Sequence, residues 1–147
     1  MRLSEPRVPA LSADEWSEDA AAVMQPFTKN GEPLNIFKTL AHHPQLLKRW
    51  LVFANHILGK STLDLRSREL LILRIGHLCQ AGYEWGQHVE IARAGGMTDD
   101  EIRTASTGSA TPGLSEQDRL LFKATEELHA DALVTAQDGT LSQFGRD

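Results

Sequence analysis

Residues 65–88 read LRSRELLILRIGHLCQAGYEWGQH, and this stretch decides the fold. Its first part, 65–78, is apolar on nearly every helical face, which predicts a central buried helix. Gly76 and Gly82 bracket the next five residues, and glycine pairs are sites where helices break or bend. The stretch is therefore predicted to fold back near residue 78 as a central helical hairpin.

The hairpin determines whether three acid–base side chains can meet. In one straight helix, Glu69 and Glu84 would be 15 residues apart, or roughly 22 Å along the axis. A pivot near residue 78 or 79 instead places residue 69 opposite residue 88. We therefore expect Glu69, Glu84 and His88 in one cluster, with Glu69 within a water-mediated distance of His88. The sequence permits this arrangement without requiring it.

The N-terminal part has the 3.6-residue periodicity of helices. A capping box at residues 12–15 predicts a helix running toward Met24. Asn35 is a candidate cap for a short helix. This helix must end near His43, because a proline disfavours helical backbone angles in the residue before it and Pro44 follows.

The remaining helices follow from similar patterns, and no stretch alternates convincingly like a strand. One helix is predicted over about 46–59. A second is predicted to begin at the capping box of residues 98–101, and a third at its cap Ser115. The chain is thus expected to be one all-α domain over 1–147, with about six helices and a weakly ordered tail at 136–147.

The composition excludes several classes of function. Apolar residues make up 41% and charged residues 24%, as in soluble globular proteins, and the net charge is −5. No run of Lys and Arg exceeds two residues and no apolar stretch approaches 18, so neither nucleic acid nor membrane is an expected partner. A single cysteine, Cys79, fits a reducing compartment, and a cytoplasmic location is expected.

Glu84 and His88 are four residues apart, so they share one face of a helix. Together with Glu69 they could transfer a proton; the alternative is a satisfied structural pair. Bundle metal sites usually use Glu and His three residues apart, so no metal is expected, and no cofactor either. His77 could join Glu69, Glu84 and His88 in a metal site only by stoichiometry. The remaining histidines more often serve as surface or capping groups: His42, His43, His56 and His129.

Three segments resemble the carboxymuconolactone decarboxylase family, which includes the alkylhydroperoxidase D-like proteins. They are RELLIL at 68–73, YEWGQH at 83–88 and ARAGGMT at 92–98. Residues 35–44 resemble the start of a mostly uncharacterised branch, and the likeness covers about 33–135. The resemblance implies an all-α, alkylhydroperoxidase D-like domain that assembles into trimers or hexamers.

The peroxidase members of that family use Cys-x-x-Cys-x-x-x-His, with a Glu twelve residues before the first cysteine. Anchored on His88, the cysteine positions fall on Ala81 and Glu84, and the upstream Glu falls on Glu69. Both cysteines are therefore absent. Cys79 lies two residues before the first position, and a lone thiol cannot close an intramolecular disulfide. Peroxide reduction is accordingly the second hypothesis.

The decarboxylase members also lack the dithiol. Resemblance to them implies a proton-transfer enzyme acting on a small acidic or lactone-type metabolite, with Glu69, Glu84 and His88 as catalytic residues. A third hypothesis is an oligomeric domain without catalysis. Arg68 and Arg74 could bind a substrate carboxylate, although salt bridges are the alternative. Residues expected around the site are Tyr83, Trp85 and Cys79.

Overall fold

The computed structural model describes residues 5–29 and 31–135, and these residues form helices and turns without a strand. This confirms the all-α fold class. The described part contains seven α-helices, against about six expected; the predicted loose tail at 136–147 lies outside it. The helices are α1 (Glu18–Met24), α2 (Asn35–Leu40), α3 (Pro44–Gly59), α4 (Leu65–Leu78), α5 (Gly82–Ala94), α6 (Asp99–Thr107) and α7 (Glu116–Asp131).

The chain divides into two compact units, Met1–Ser61 and Thr62–Asp147. The single-domain expectation stays a prediction. In the first unit, α1, α2 and α3 enclose a small core with aromatic side chains around it; its buried residues are Ala20, Met24, Ala41 and Leu47. None of the described helices is both long and apolar enough to span a bilayer.

Two helix starts in the first unit differ from the prediction. The capping box of Ser12 opens only a short 3₁₀ turn, and α1 begins later, where the Ser17 hydroxyl accepts a hydrogen bond from Ala20 N at 3.2 Å. Asn35 is the first residue of α2 rather than its cap, because Leu34 occupies the cap position. At α3, His43 Nδ1 accepts a hydrogen bond from Leu46 N at 3.1 Å, which confirms a capping histidine.

Helix α4 is the centre of the second unit, and α5, α6 and α7 all pack against it. Its bounds agree with the prediction, and Asp64 caps it by accepting a hydrogen bond from Ser67 N at 3.0 Å. The buried apolar residues of this core come from all four helices and the α5–α6 turn: Leu70, Leu73, Ala92, Met97, Ile102, Ala105 and Phe122. A charged group on α4 that is buried against this core is costly unless it is paired.

The hairpin between α4 and α5 is tight. Helix α4 ends at Leu78 and α5 begins at Gly82, so the predicted reversal between Gly76 and Gly82 is confirmed. The left-handed backbone of the turn is at Gln80, with φ +53°, rather than at a glycine. Ala81 N donates a hydrogen bond to Gly76 O at 2.8 Å, which satisfies a carbonyl at the end of α4.

Arg66 fixes the first turn of α4 to two neighbouring helices. Its Nη1 and Nη2 donate to Asp118 Oδ1 and Oδ2 at 2.7 and 2.9 Å, and its Nε donates to Glu101 Oε1 at 2.7 Å. These bonds are the main cause of the lowered pKa of Asp118 and of a Glu101 pKa lowered to about 2. The turn that precedes the catalytic candidate Glu69 is thereby held to α6 and α7.

Candidate active site

Glu69 is a fully buried carboxylate on α4. Glutamate is almost never fully buried unless it is paired, and both oxygens of Glu69 have partners. Oε1 accepts a hydrogen bond from Arg68 Nε at 3.2 Å, and Oε2 lies 2.6 Å from Nδ1 of His88. The next helix, α5, therefore supplies the imidazole that pairs with the buried carboxylate and offsets the cost of its burial.

His88 lies on α5, opposite Glu69 across the hairpin, and is itself buried. Its second ring nitrogen, Nε2, is 3.3 Å from Oε1 of Glu84, one helical turn earlier. The predicted cluster of Glu69, Glu84 and His88 is therefore present. Glu69 and His88 are in direct hydrogen-bond contact, which is closer than the water-mediated distance expected.

The three groups form a line from the core to the surface. Glu69 is inaccessible, His88 is nearly so, and the Glu84 side chain is 46% exposed. The 2.6 Å contact is short and involves a fixed carboxylate, whereas the 3.3 Å contact involves a side chain that solvent can reach. Glu69 therefore fixes the ring, and Nε2 is the ring nitrogen on the side that faces outward.

The pKa of His88 is raised above its usual 6.5. The largest cause is the hydrogen bond to Glu69, and the negative charges of Glu69 and Glu84 act in the same direction. Burial and the charge of Arg68 oppose the rise. The imidazolium form is thus more populated at a given pH than in an unperturbed histidine, and in this form both ring nitrogens carry a proton that can be donated.

The two candidate substrate-binding arginines have different environments. Arg68 lies at the cluster, bound to Glu69. Arg74 is buried in another network: its Nη2 is 2.9 Å from Glu126 Oε1, and its Nη1 donates to the carbonyls of Ala105 and Ser106 at 3.2 and 2.8 Å. Arg74 ties α4 to α6 and α7, and we assign it no role in the site.

Gly108 explains how the Arg74 network closes. Its backbone has φ +77° and ψ −149°, a conformation essentially limited to glycine. A Cβ there would lie 2.1 Å from Glu126 Oε1 and 2.4 Å from Arg74 Cζ. The Arg74–Glu126 ion pair can therefore pack this closely only because residue 108 is a glycine, which has no side chain.

The three residues expected around the site have different environments. Trp85 packs on the core of the second unit, and its ring meets that of His77 edge-on at 5.8 Å. Tyr83 and Cys79 are exposed. Cys79 is the only cysteine of the chain, so no second thiol of the same chain can pair with it.

Within residues 5–29 and 31–135, no three or more His, Cys, Asp or Glu side chains are grouped so as to hold a metal ion. Sequence spacing indicated Glu84 and His88 directly, but it gave no sign that Arg68 binds the carboxylate beside it.

Comparison with known proteins gives one result. Residues 44–127 match the model of the carboxymuconolactone decarboxylase family. No curated protein and no solved structure matches the chain. The matched segment runs from the start of α3 into α7 and contains all members of the Glu69–His88–Glu84 cluster.

Proposed function

Since the chain belongs to the carboxymuconolactone decarboxylase family, whose fold is the all-α, alkylhydroperoxidase D-like one, we propose that it is a proton-transfer enzyme. Its substrate is a small acidic or lactone-type metabolite, and its reaction is of the decarboxylase type. The observation that carries the proposal is the 2.6 Å contact between the buried Glu69 carboxylate and His88 Nδ1. This contact leaves Nε2 as the nitrogen that exchanges a proton.

His88 supplies the proton in the proposed reaction. When the carbon–carboxylate bond of the substrate breaks, CO₂ leaves and the bonding electron pair stays on the substrate as an enolate-type anion. The proton on His88 Nε2 then forms the new carbon–hydrogen bond. The raised pKa of His88 supports this role, because it increases the fraction of rings that hold the proton before the bond breaks.

Glu69 and Glu84 have different tasks in this scheme. Glu69, inaccessible to solvent, orients the ring and stabilises the imidazolium through its short hydrogen bond. Glu84 is half-exposed and 3.3 Å from Nε2, so it can yield its place to a substrate and return a solvent proton to the ring afterwards. The imidazole thus has a fixed carboxylate at Nδ1 and a movable one at Nε2. This arrangement suits a ring that gives its Nε2 proton to the substrate and is then protonated again.

Arg68 is the proposed partner of the substrate carboxylate. It lies close enough to His88 for its positive charge to lower that residue's pKa, and its Nε is bound to Glu69. A guanidinium presents several N–H donors and can bind two carboxylates through different nitrogens. An anionic substrate at Arg68 would therefore be held beside the imidazole.

The peroxide-reducing alternative lacks a comparable observation. Cys79 is exposed at the end of α4 and is the chain's single thiol. A dithiol cycle would need a second cysteine from another molecule. The lone thiol is also the reason that we propose a reducing, cytoplasmic setting.

A panel of small lactone and enol acids, assayed by ligand-induced shifts in melting temperature, tests the substrate class. Each acid is paired with its neutral methyl ester. We expect acids to raise the melting temperature of the wild type, esters to have little effect, and Arg68→Gln to reduce the acid's effect. Equal shifts from acids and esters would contradict an anionic substrate held by Arg68.

A further inference from the structure

Helix α3 has two apolar faces, and the first unit covers only one of them. Leu47 and Ala54 are buried on the inner side. The outer side carries the α3 stripe, whose members are seven and four residues apart and so share one helical face. The stripe consists of the exposed Leu46, Phe53 and Ile57.

The α3 stripe has a basic border. Arg49 and Lys60 lie on the same edge of the stripe at helical spacing, with His56 between them. Residues 33–63 contain four Lys and Arg and no Asp or Glu, although the whole chain has net charge −5. The uncovered face is therefore apolar in the middle and positive along one side.

The second unit has an apolar groove of about 340 Å³ between α4 and α7. Three aliphatic side chains of α4 form one wall. On the other wall the hydroxyl of Thr125 donates to Leu121 O at 3.0 Å, so that this group is already satisfied by the backbone. The lining residues are Leu71, Ile72, Ile75, Thr125, Leu128 and His129.

The α4–α7 groove lies in negative surroundings. It opens beside the last two turns of α7, where the helix dipole is negative and where Glu127 and Asp131 are located. Residues 62–135 contain twelve Asp and Glu against seven Lys and Arg. An apolar helix face with a positive border matches such a groove in hydrophobicity and in the sign of its charge.

We propose that the α3 stripe of one copy of this chain packs into the α4–α7 groove of a second copy. Phe53, an aromatic side chain near the middle of the stripe, is the anchor that fills the groove. A helix face in an apolar groove is an established recognition mode, and aromatic anchors dominate its energetics. Both complementary surfaces are present on the same chain, so a second copy supplies the partner without any other protein. This assembly is independent of the proposed proton transfer.

Light scattering on two matched variants tests the contact. Phe53 is 65% exposed and Val52 is 74% exposed, and the two are neighbours on α3. Only Phe53 belongs to the stripe. We expect wild type and Val52→Glu to remain oligomeric at micromolar concentration and Phe53→Glu to fall to the mass of one chain, with unchanged helix content. A monomeric wild type, or equal behaviour of the two variants, would overturn the proposal.

A cross-linking experiment identifies which groove is filled. In a Cys79→Ser background, chains with Phe53→Cys alone are mixed with chains with Ile75→Cys alone and oxidised. We expect a disulfide-linked heterodimer. A chain that carries both cysteines and closes only an internal disulfide would overturn the proposal, because the stripe would then occupy its own groove. Binding of a monomeric wild type to anionic lipid vesicles, lost in Phe53→Glu, would overturn it too, in favour of a membrane surface.

Discussion

Glu69 and His88 are 19 positions apart in the chain, yet Oε2 of one lies 2.6 Å from Nδ1 of the other. The α4–α5 hairpin creates this contact, and burial makes it strong, because water does not compete for either partner. The same hydrogen bond therefore stabilises the second unit and prepares a proton for transfer. Structure and chemistry at the site can be tested separately by changing one partner at a time.

Removal of the buried carboxylate should weaken the fold. Glu69→Leu is expected to lower the free energy of unfolding by about 1–3 kcal/mol, since it leaves His88 Nδ1 and Arg68 Nε without this acceptor. Glu69→Gln retains an acceptor oxygen and should cost less, but its neutral amide should lower the pKa of His88. Urea unfolding and an NMR titration of the imidazole measure the two effects. A fully stable Glu69→Leu protein would show that the contact contributes nothing.

The raised pKa of His88 predicts how stability depends on pH. Because the folded state holds this proton more tightly than the unfolded state, the stabilisation is complete below the ordinary pKa of 6.5. It is lost as the pH rises through the folded-state pKa. Urea unfolding between about pH 6 and about pH 9 should therefore show a decline in wild type that His88→Gln lacks. Parallel curves for the two proteins would contradict the raised pKa.

Arg66 should matter more than a surface arginine of similar chemistry. Its side chain is 40% exposed, but its partner Asp118 is buried. We expect Arg66→Gln to destabilise the protein by about 1–3 kcal/mol, because it leaves Asp118 without its charged donors. Arg103, whose pair with Asp100 is exposed, supplies the control: Arg103→Gln should change stability by less than about 1 kcal/mol. Equal losses in thermal or urea unfolding would count against this account.

The central fold could be predicted because its signals are local. The bounds of α4 follow from the apolar residues that recur between Leu65 and Leu78. Its reversal is indicated by Gly76 and Gly82, which lie within one short segment. The pair Glu84 and His88 is also visible locally, since the two side chains are one helical turn apart.

Other features depend on contacts between distant positions. Glu126 holds Arg74 from 52 residues away, and no spacing rule connects the two. Asn35 was the wrong cap because a capping preference of about 1 kcal/mol is small beside the packing of the apolar side chains that follow it. Local patterns predict which acidic and basic side chains lie near the hairpin. Long-range packing determines which arginines are already bound in ion pairs.

The most direct test of the central claim is the kcat/KM of three single variants on the acid that best stabilises the wild type. We predict that Glu84→Gln and His88→Asn lower it by about 10²- to 10⁴-fold, with helix content retained, because each removes a proton-transfer group. Cys79→Ser should leave it nearly unchanged, since the thiol is exposed and has no partner cysteine. Loss of turnover in Cys79→Ser together with normal turnover in Glu84→Gln and His88→Asn would contradict the account.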